Sequence, residues 1–335
     1  MRIPGFIRSQ PLAVRLAIGI GALGLVALFF LNFPTFRPAF QPLFGVTFTP
    51  GQAESFGLDW KETYTALLDD LGVRHFRLVA YWDAIESARG KYFFDDLDYQ
   101  LDELAKRNGK AVLAVGRKVP RWPECHDPSW LSAASSHDLE SDIQNFVTAL
   151  MERYRSHPAV EIWQVENEVT FPFGICPNML GLDALSREIK LVRALDPSHP
   201  IMVTDGGEWS AWLPIGLYGD VLGVSLYREA YNNLFGHISF PVGPGWYQLR
   251  AAVLGAFGKE TTITELQAEP WGKKAVQEMT VQEGLTLMPP EKLKKNIEFS
   301  TSVGFSRVTL WGAEWWYWLK TKGDDRIWEM MKQLF

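Results

Sequence analysis

Cysteine is nearly absent from this chain of 335 residues: only Cys125 and Cys176 occur. The six histidines are scattered, with no H-E-x-x-H, H-x-x-x-H or C-x-x-C spacing. A clustered set of soft metal ligands is therefore not expected, and no catalytic metal is anticipated. No glycine-rich phosphate loop follows a predicted strand, and no G-x-S-x-G elbow occurs. Nothing calls for a nucleotide cofactor or a serine nucleophile of that type, and no cofactor is expected. Excess positive charge is also missing: the net charge is -6, which gives no footprint for nucleic acid. There are no internal repeats, low-complexity tracts or signs of a second domain.

What is present is one long apolar run, many tryptophans and a regular alternation of strand-like and helix-like segments. Leu16 to Leu31 is unbroken by charge, and with Leu12 to Val14 the stretch reaches Phe33. That is just enough for a membrane-spanning helix, which takes about 17–25 residues. Arg2, Arg8 and Arg15 precede it, which predicts the N-terminus inside and the bulk of the chain outside. The expectation is a cytoplasmic segment 1–11, a signal-anchor over 12–33, a linker over 34–43 and one domain over 44–335. The membrane is then a partner through that helix. A cleaved signal peptide followed by secretion is the rival reading. An extracytoplasmic position would permit a disulfide between Cys125 and Cys176. Two buried thiols are the alternative, since spacing in sequence does not fix spacing in space.

Beyond the N-terminal run, about 300 residues suit a single α/β barrel. Strands are expected over Phe44–Phe48, Arg74–Ala80, Lys110–Gly116, Val160–Glu166, Ile201–Thr204, Val221–Leu226, Thr261–Glu265 and Arg307–Trp311. Helical spacing falls between them, as in the stripe Ile143, Phe146, Val147 and Leu150. The largest insertion runs from 228 to 259, with a helix expected from Trp246 to Phe257. Eight strands alternating with helices predict a (β/α)8 TIM barrel. Its catalytic edge lies where strands end and loops begin.

Two glutamates sit at that edge. Glu168 ends the fourth run, just after Asn167, and Glu265 ends the seventh. Two carboxylates across a sugar are what glycosidic bond cleavage requires. Glu168 is the candidate acid, with a pKa that must be raised to keep its proton near neutral pH. Asn167 is placed to hold the sugar 2-hydroxyl. Glu265 is the candidate nucleophile, and retention of configuration expects the two carboxyl groups about 5–5.5 Å apart.

The chain also resembles the clan A glycoside hydrolases, the retaining (β/α)8 enzymes that include the cellulase-type family five. The resemblance rests on Asn167-Glu168, Ile263-Thr264-Glu265 and Leu310-Trp311-Gly312 on strands four, seven and eight. It rests as well on Tyr81-Trp82-Asp83-Ala84-Ile85-Glu86 followed by Gly90-Lys91-Tyr92-Phe93-Phe94-Asp95. It spans about residues 44 to 320. It implies Glu168 as acid/base and Glu265 as nucleophile, Arg77 as the cation supporting that nucleophile, Tyr227 as its phenol partner and Trp311 as the platform under the sugar. The chain departs from family five in having no matching histidine near the ends of strands three and six. Arg117 or His126 is the candidate replacement on strand three.

Further residues on the same edge are candidates for sugar binding. Glu208 and Glu314 carry carboxylates, and Glu269 would substitute if Glu265 were inert. Trp82, Trp122, Trp209, Trp271, Trp315 and Trp316 fall in expected loops and would stack on pyranose faces. The function these features point to is a retaining β-glycosidase acting on an oligo- or polysaccharide. A transglycosylase of the same clan and a non-catalytic carbohydrate-binding barrel are the alternatives. Oligomeric state is not legible.

Overall fold

The structure, a computed structural model, describes residues 11–36, 38–131, 136–208 and 210–335. Ten strands follow in chain order: β1 (Leu43–Thr47), β2 (His75–Val79), β3 (Lys110–Val115), β4 (Val160–Val165), β5 (Ile201–Asp205), β6 (Val221–Leu226), β7 (Glu229–Asn232), β8 (Gly236–Ser239), β9 (Glu260–Gln267) and β10 (Arg307–Trp311). Eight of them form a closed barrel in the order β1-β10-β9-β6-β5-β4-β3-β2, and every neighbouring pair is parallel. The ring closes between Leu43 and Arg307 at one end and Thr47 and Trp311 at the other. Helices between the strands present their apolar stripes inward, so Ile143, Phe146, Val147 and Leu150 are all buried. Local signals set their ends. The Asp59 carboxylate accepts from the Glu62 N–H to start Trp60–Asp69, and Gly304, at φ 79°, closes Pro290–Val303.

A register shift in β9 shapes the site. Thr262 and Thr264 line the same small internal cavity as Arg77. In an unbroken strand Glu265 would therefore turn away from the barrel axis. Val224 of β6 pairs with Ile263, but Ser225 pairs with Glu265, so one residue is skipped. This bulge brings Glu265 back to the interior beside Arg77.

The structure corrects or adds to the expectations at four places. The stretch after β10 is not a loop but a helix, Ala313–Thr321, and it buries Glu314, Trp315 and Trp316 completely. Its apolar side chains face the core on nearly every side, which hid its periodicity. The 228–259 insertion holds the antiparallel hairpin β7–β8 as well as a helix, Pro244–Gly255. At the N-terminus a helix covers Leu12–Asn32, and Leu12, Leu16, Ile20, Leu23 and Leu25 are exposed on it. Among the described residues, however, no helix is long and apolar enough to cross a membrane. Arg2 and Arg8 lie outside the described residues. The segment expected to be a linker is docked: the Gln248 side-chain oxygen accepts from the Thr35 N–H (2.6 Å) and hydroxyl (2.8 Å).

Candidate active site

The C-terminal ends of the barrel strands open into a cleft of about 910 Å³, lined by Glu124, Asn167, Glu168, Glu208, Glu265, Glu269 and Trp311 among others. Beneath it Arg77 acts as a hub. Its three guanidinium nitrogens donate to Glu265 Oε1 (2.6 Å), Gln164 Oε1 (2.7 Å) and Asn167 Oδ1 (2.8 Å). The Tyr227 hydroxyl donates to the other oxygen of Glu265 at 3.1 Å. Glu265 thus meets a full positive charge on one side and a phenol on the other, an arrangement that suits a carboxylate anion. Arg77 is paired with Glu265 and not with Glu166, whose two oxygens accept the Arg117 and Lys118 N–H groups at 2.7 Å each.

Glu168 has different surroundings. It is buried, and among the described residues its carboxyl group forms no salt bridge. Burial first, and then the charge of Glu265, push its carboxyl up to about 7. The Ser225 hydroxyl, donating to Glu168 Oε1 at 2.5 Å, pulls in the opposite direction. The backbone is held from both sides. The Glu168 N–H donates to Thr204 Oγ1 (2.9 Å), and Lys118 Nζ donates to the Glu168 carbonyl (2.9 Å). Burial lowers the Lys118 ammonium from its usual value. Glu168 sits at φ 43°, in the left-handed region that non-glycine residues rarely adopt.

Asn167 links the two. Its carbonyl oxygen accepts from Arg77, from Thr204 Oγ1 (3.0 Å) and from Gln164 Nε2 (3.3 Å). Three donors fix the amide orientation. The amide nitrogen is left to donate to Glu124 Oε2 at 3.1 Å.

The other candidate residues divide by position. Trp122, Trp271 and Glu208 line the cleft with Trp311. Trp122 is 61% exposed, and its ring centroid lies 5.8 Å from that of Phe173. Trp271 meets Tyr227 edge-on at 5.1 Å. Glu208 accepts from the Tyr247 hydroxyl at 2.5 Å, and burial pushes its carboxyl up to about 7. Trp311 donates to Glu269 Oε1 (2.7 Å), and the Arg121 guanidinium sits 4.0 Å from its ring centroid. One Trp311 face is therefore already covered by a cation.

Trp82, Trp315 and Glu314 do not line the cleft. Trp82 lies in the one-turn helix Trp82–Ile85, fully buried against Phe146, with its indole N–H on Glu86 Oε2 at 2.7 Å. Trp315 is buried beside Gly284. Glu314 is buried too: its oxygens accept the Thr49 N–H (2.8 Å) and Arg121 Nη2 (3.0 Å). Trp209 lies outside the described residues. The two suggested histidine replacements differ in position. Arg117 is locked onto Asp127 at 2.7 Å, whereas His126 lines the cleft against Tyr81.

Several contributors were not singled out from the sequence: Glu124, Arg121, Lys118, Gln164, Thr204, Ser225, Phe171 and Phe173. The loop after β3 supplies three of them, and its signal was the dense set of prolines around Cys125. Cys125 and Cys176 are joined, with Cα atoms 5.1 Å apart, tying the loop after β3 to the loop after β4.

The model of glycosyl hydrolase family 10 matches residues 78–190, a stretch that contains Asn167 and Glu168 and covers less than half of the chain. Endo-1,4-beta-xylanase 2 of Claviceps purpurea is 27% identical over 130 residues, which cover 37% of this chain and 38% of that protein. The chain thus spans well under half the length of that curated relative. Among solved structures, a GH5_18 protein of Bifidobacterium longum subsp. longum aligns over 81% of this chain and 70% of its own, at 16% identity and a TM-score of 0.57. A GH10 endoxylanase from a sugarcane soil metagenome aligns over 81% of this chain and 86% of its own, at 16% identity and a TM-score of 0.54. At such identities the solved structures speak to the fold. In its barrel and in the stretch that the family 10 model matches, the chain is similar to the clan A glycoside hydrolases.

Proposed function

We propose that this protein is a retaining β-glycosidase acting on an oligo- or polysaccharide by double displacement. The observation that carries the reading is the contrast between two carboxyl groups in one cleft. Glu265 is paired with Arg77 at 2.6 Å, while Glu168 has no salt bridge among the described residues and is raised to about 7. Environments that split two carboxyls in this way assign their roles. Glu265 attacks the anomeric carbon as Glu168 gives its proton to the leaving oxygen. A covalent glycosyl-enzyme forms on Glu265. Glu168, now an anion, takes a proton from water as that water attacks, and the enzyme is restored. Asn167 holds the 2-hydroxyl, and Trp122 and Trp271 present apolar faces to flanking sugar rings.

The test is release of aryl groups or sugars by the full chain from a panel of aryl β-glycosides and β-linked oligosaccharides, with Glu265→Ala in parallel. The reading expects release by the wild type, loss in the variant, and restoration by azide with an inverted glycosyl azide as product. Undiminished release in Glu265→Ala would sink the assignment. No release by the wild type, together with retention on a glycan array, would favour a non-catalytic binding barrel. We further propose that the domain lies in an extracytoplasmic compartment. The support is the apolar run behind Arg2, Arg8 and Arg15 and the disulfide, which suits an oxidising compartment. Recovery of the chain in the cytosolic fraction with both thiols reduced would overturn this.

A further inference from the structure

Glu124 is a third carboxyl group in the cleft, beside the two assigned to the reaction. It is buried, yet its partners are fewer than a buried structural carboxylate requires. Its Oε2 accepts one hydrogen bond, from Asn167 Nδ2. Among the described residues, Oε1 has no hydrogen-bond partner and no salt bridge is formed. Burial first, and then the charges of Glu265 and Glu168, push the group up to about 8. Near neutral pH it is therefore a carboxylic acid, with an O–H to donate and an oxygen left to accept.

The position is built rather than incidental. Glu124 sits at φ 75°, a conformation that persists in a non-glycine residue only when its surroundings impose it. They do so here. The Val119 N–H donates to the Glu124 carbonyl, and the Glu124 N–H to the Arg121 carbonyl, both at 2.8 Å. Cys125, next in the chain, is bonded to Cys176. The loop bearing Cys176 passes so close that a Cβ on Gly174 would stand 2.6 Å from the Glu124 Cβ. Side chain, turn and cross-link together aim one acid at the amide of Asn167.

We propose that Glu124 touches the substrate at carbon 2 of the sugar being cleaved, reading its substituent jointly with Asn167 and selecting a free hydroxyl over a bulkier acetamido group. This rests on the reading of Glu168 and Glu265 as the reacting pair. The reasoning is one of adjacency. Asn167 precedes the acid in sequence and gives one of its two amide N–H groups to Glu124, which leaves the other to meet a substrate, so a hydroxyl hydrogen-bonding that amide lies within reach of both groups. A 2-hydroxyl can accept from one and donate to the other. An N-acetyl group would have to displace the Glu124 carboxyl, which the loop cannot yield.

The experiment uses the full chain and two donors: the 4-nitrophenyl β-glycoside that the wild type turns over fastest among the glucoside, galactoside, xyloside and mannoside, and its 2-deoxy analogue. The 2-deoxy penalty in kcat/KM is compared for wild type, Glu124→Ala and Glu124→Gln. The proposal expects the penalty to shrink roughly tenfold in Glu124→Ala, the cost of one hydrogen bond to a strongly polar group. Glu124→Gln, which keeps the shape and a donor, should fall between the two. An equal loss on both donors would make Glu124 a structural residue and overturn the proposal, as would no loss on either. Failure of the wild type to release nitrophenol from any donor would instead remove the glycosidase reading and this inference with it.

Discussion

Ser225→Ala probes the acid directly. In the wild type the Ser225 hydroxyl donates to Glu168 Oε1 at 2.5 Å and so favours the anion of a group that burial and Glu265 hold near 7. The free enzyme needs Glu168 protonated, so kcat/KM falls as pH rises through that value. A hydrogen bond to a charged group contributes about 1.5–3 kcal/mol. At 1.36 kcal/mol per pKa unit, losing it raises Glu168 by roughly one to two units. The alkaline limb should therefore move upward, to about 8–9. The assay is kcat/KM against pH on a phenyl β-glycoside, whose poor leaving group depends on the acid, alongside a dinitrophenyl β-glycoside, which does not. The shift should appear with the phenyl substrate. An alkaline limb that stays put or moves downward would refute the reasoning, because the serine would not be serving the Glu168 anion.

Other perturbations separate the site from the scaffold. Arg77→Met strands three buried acceptors, on Gln164, Asn167 and Glu265. Removing one partner from such a buried set costs about 3–5 kcal/mol, read by urea unfolding, and kcat should fall on the order of a hundredfold or more; unchanged stability would contradict the hub role. Glu208 is raised from an ordinary value of 4.5 to about 7, so the folded state holds its proton more tightly than the unfolded one. That contribution is complete below about 4.5 and disappears as pH climbs through about 7, an amount of roughly 3 kcal/mol. Thermal unfolding of Glu208→Gln should accordingly decline less than the wild type between those limits, and parallel curves would count against it. Trp122→Ala, at a position 61% exposed, should raise KM with little change in Tm. Trp82→Ala, in the core, should cost about 3–5 kcal/mol in stability and leave KM near its starting value.

The barrel was legible because its signals are local and repeated. Apolar β-prone runs alternate with amphipathic helices such as Leu182–Leu195, and the strand expected over Val160–Glu166 agrees with the structure to within a residue. Glu168 and Glu265 were legible for the same reason, as charges at the ends of apolar strands. The bulge that aims Glu265 was not, since a skipped residue leaves no mark in an alternating pattern. Trp82, Trp315 and Glu314 misled because an aromatic-rich stretch at a strand end looks alike whether it lines a groove or packs a helix all round. Glu314 in particular is buried through Arg121 and Thr49, neither of which lies near it in the chain. Glu124 escaped notice because its importance comes from a left-handed turn and a cross-link between loops, both of them products of tertiary contact.

The central claim is that Glu265 forms the covalent bond to sugar. Incubation of the full chain with a 2-deoxy-2-fluoro β-glycoside carrying a dinitrophenolate leaving group should trap that intermediate, because fluorine slows its hydrolysis more than its formation. Peptide mapping by mass spectrometry should find one glycosyl adduct, on the peptide bearing Glu265, with activity lost in step with labelling. An adduct on Glu168, Glu124 or Glu269 would contradict the account.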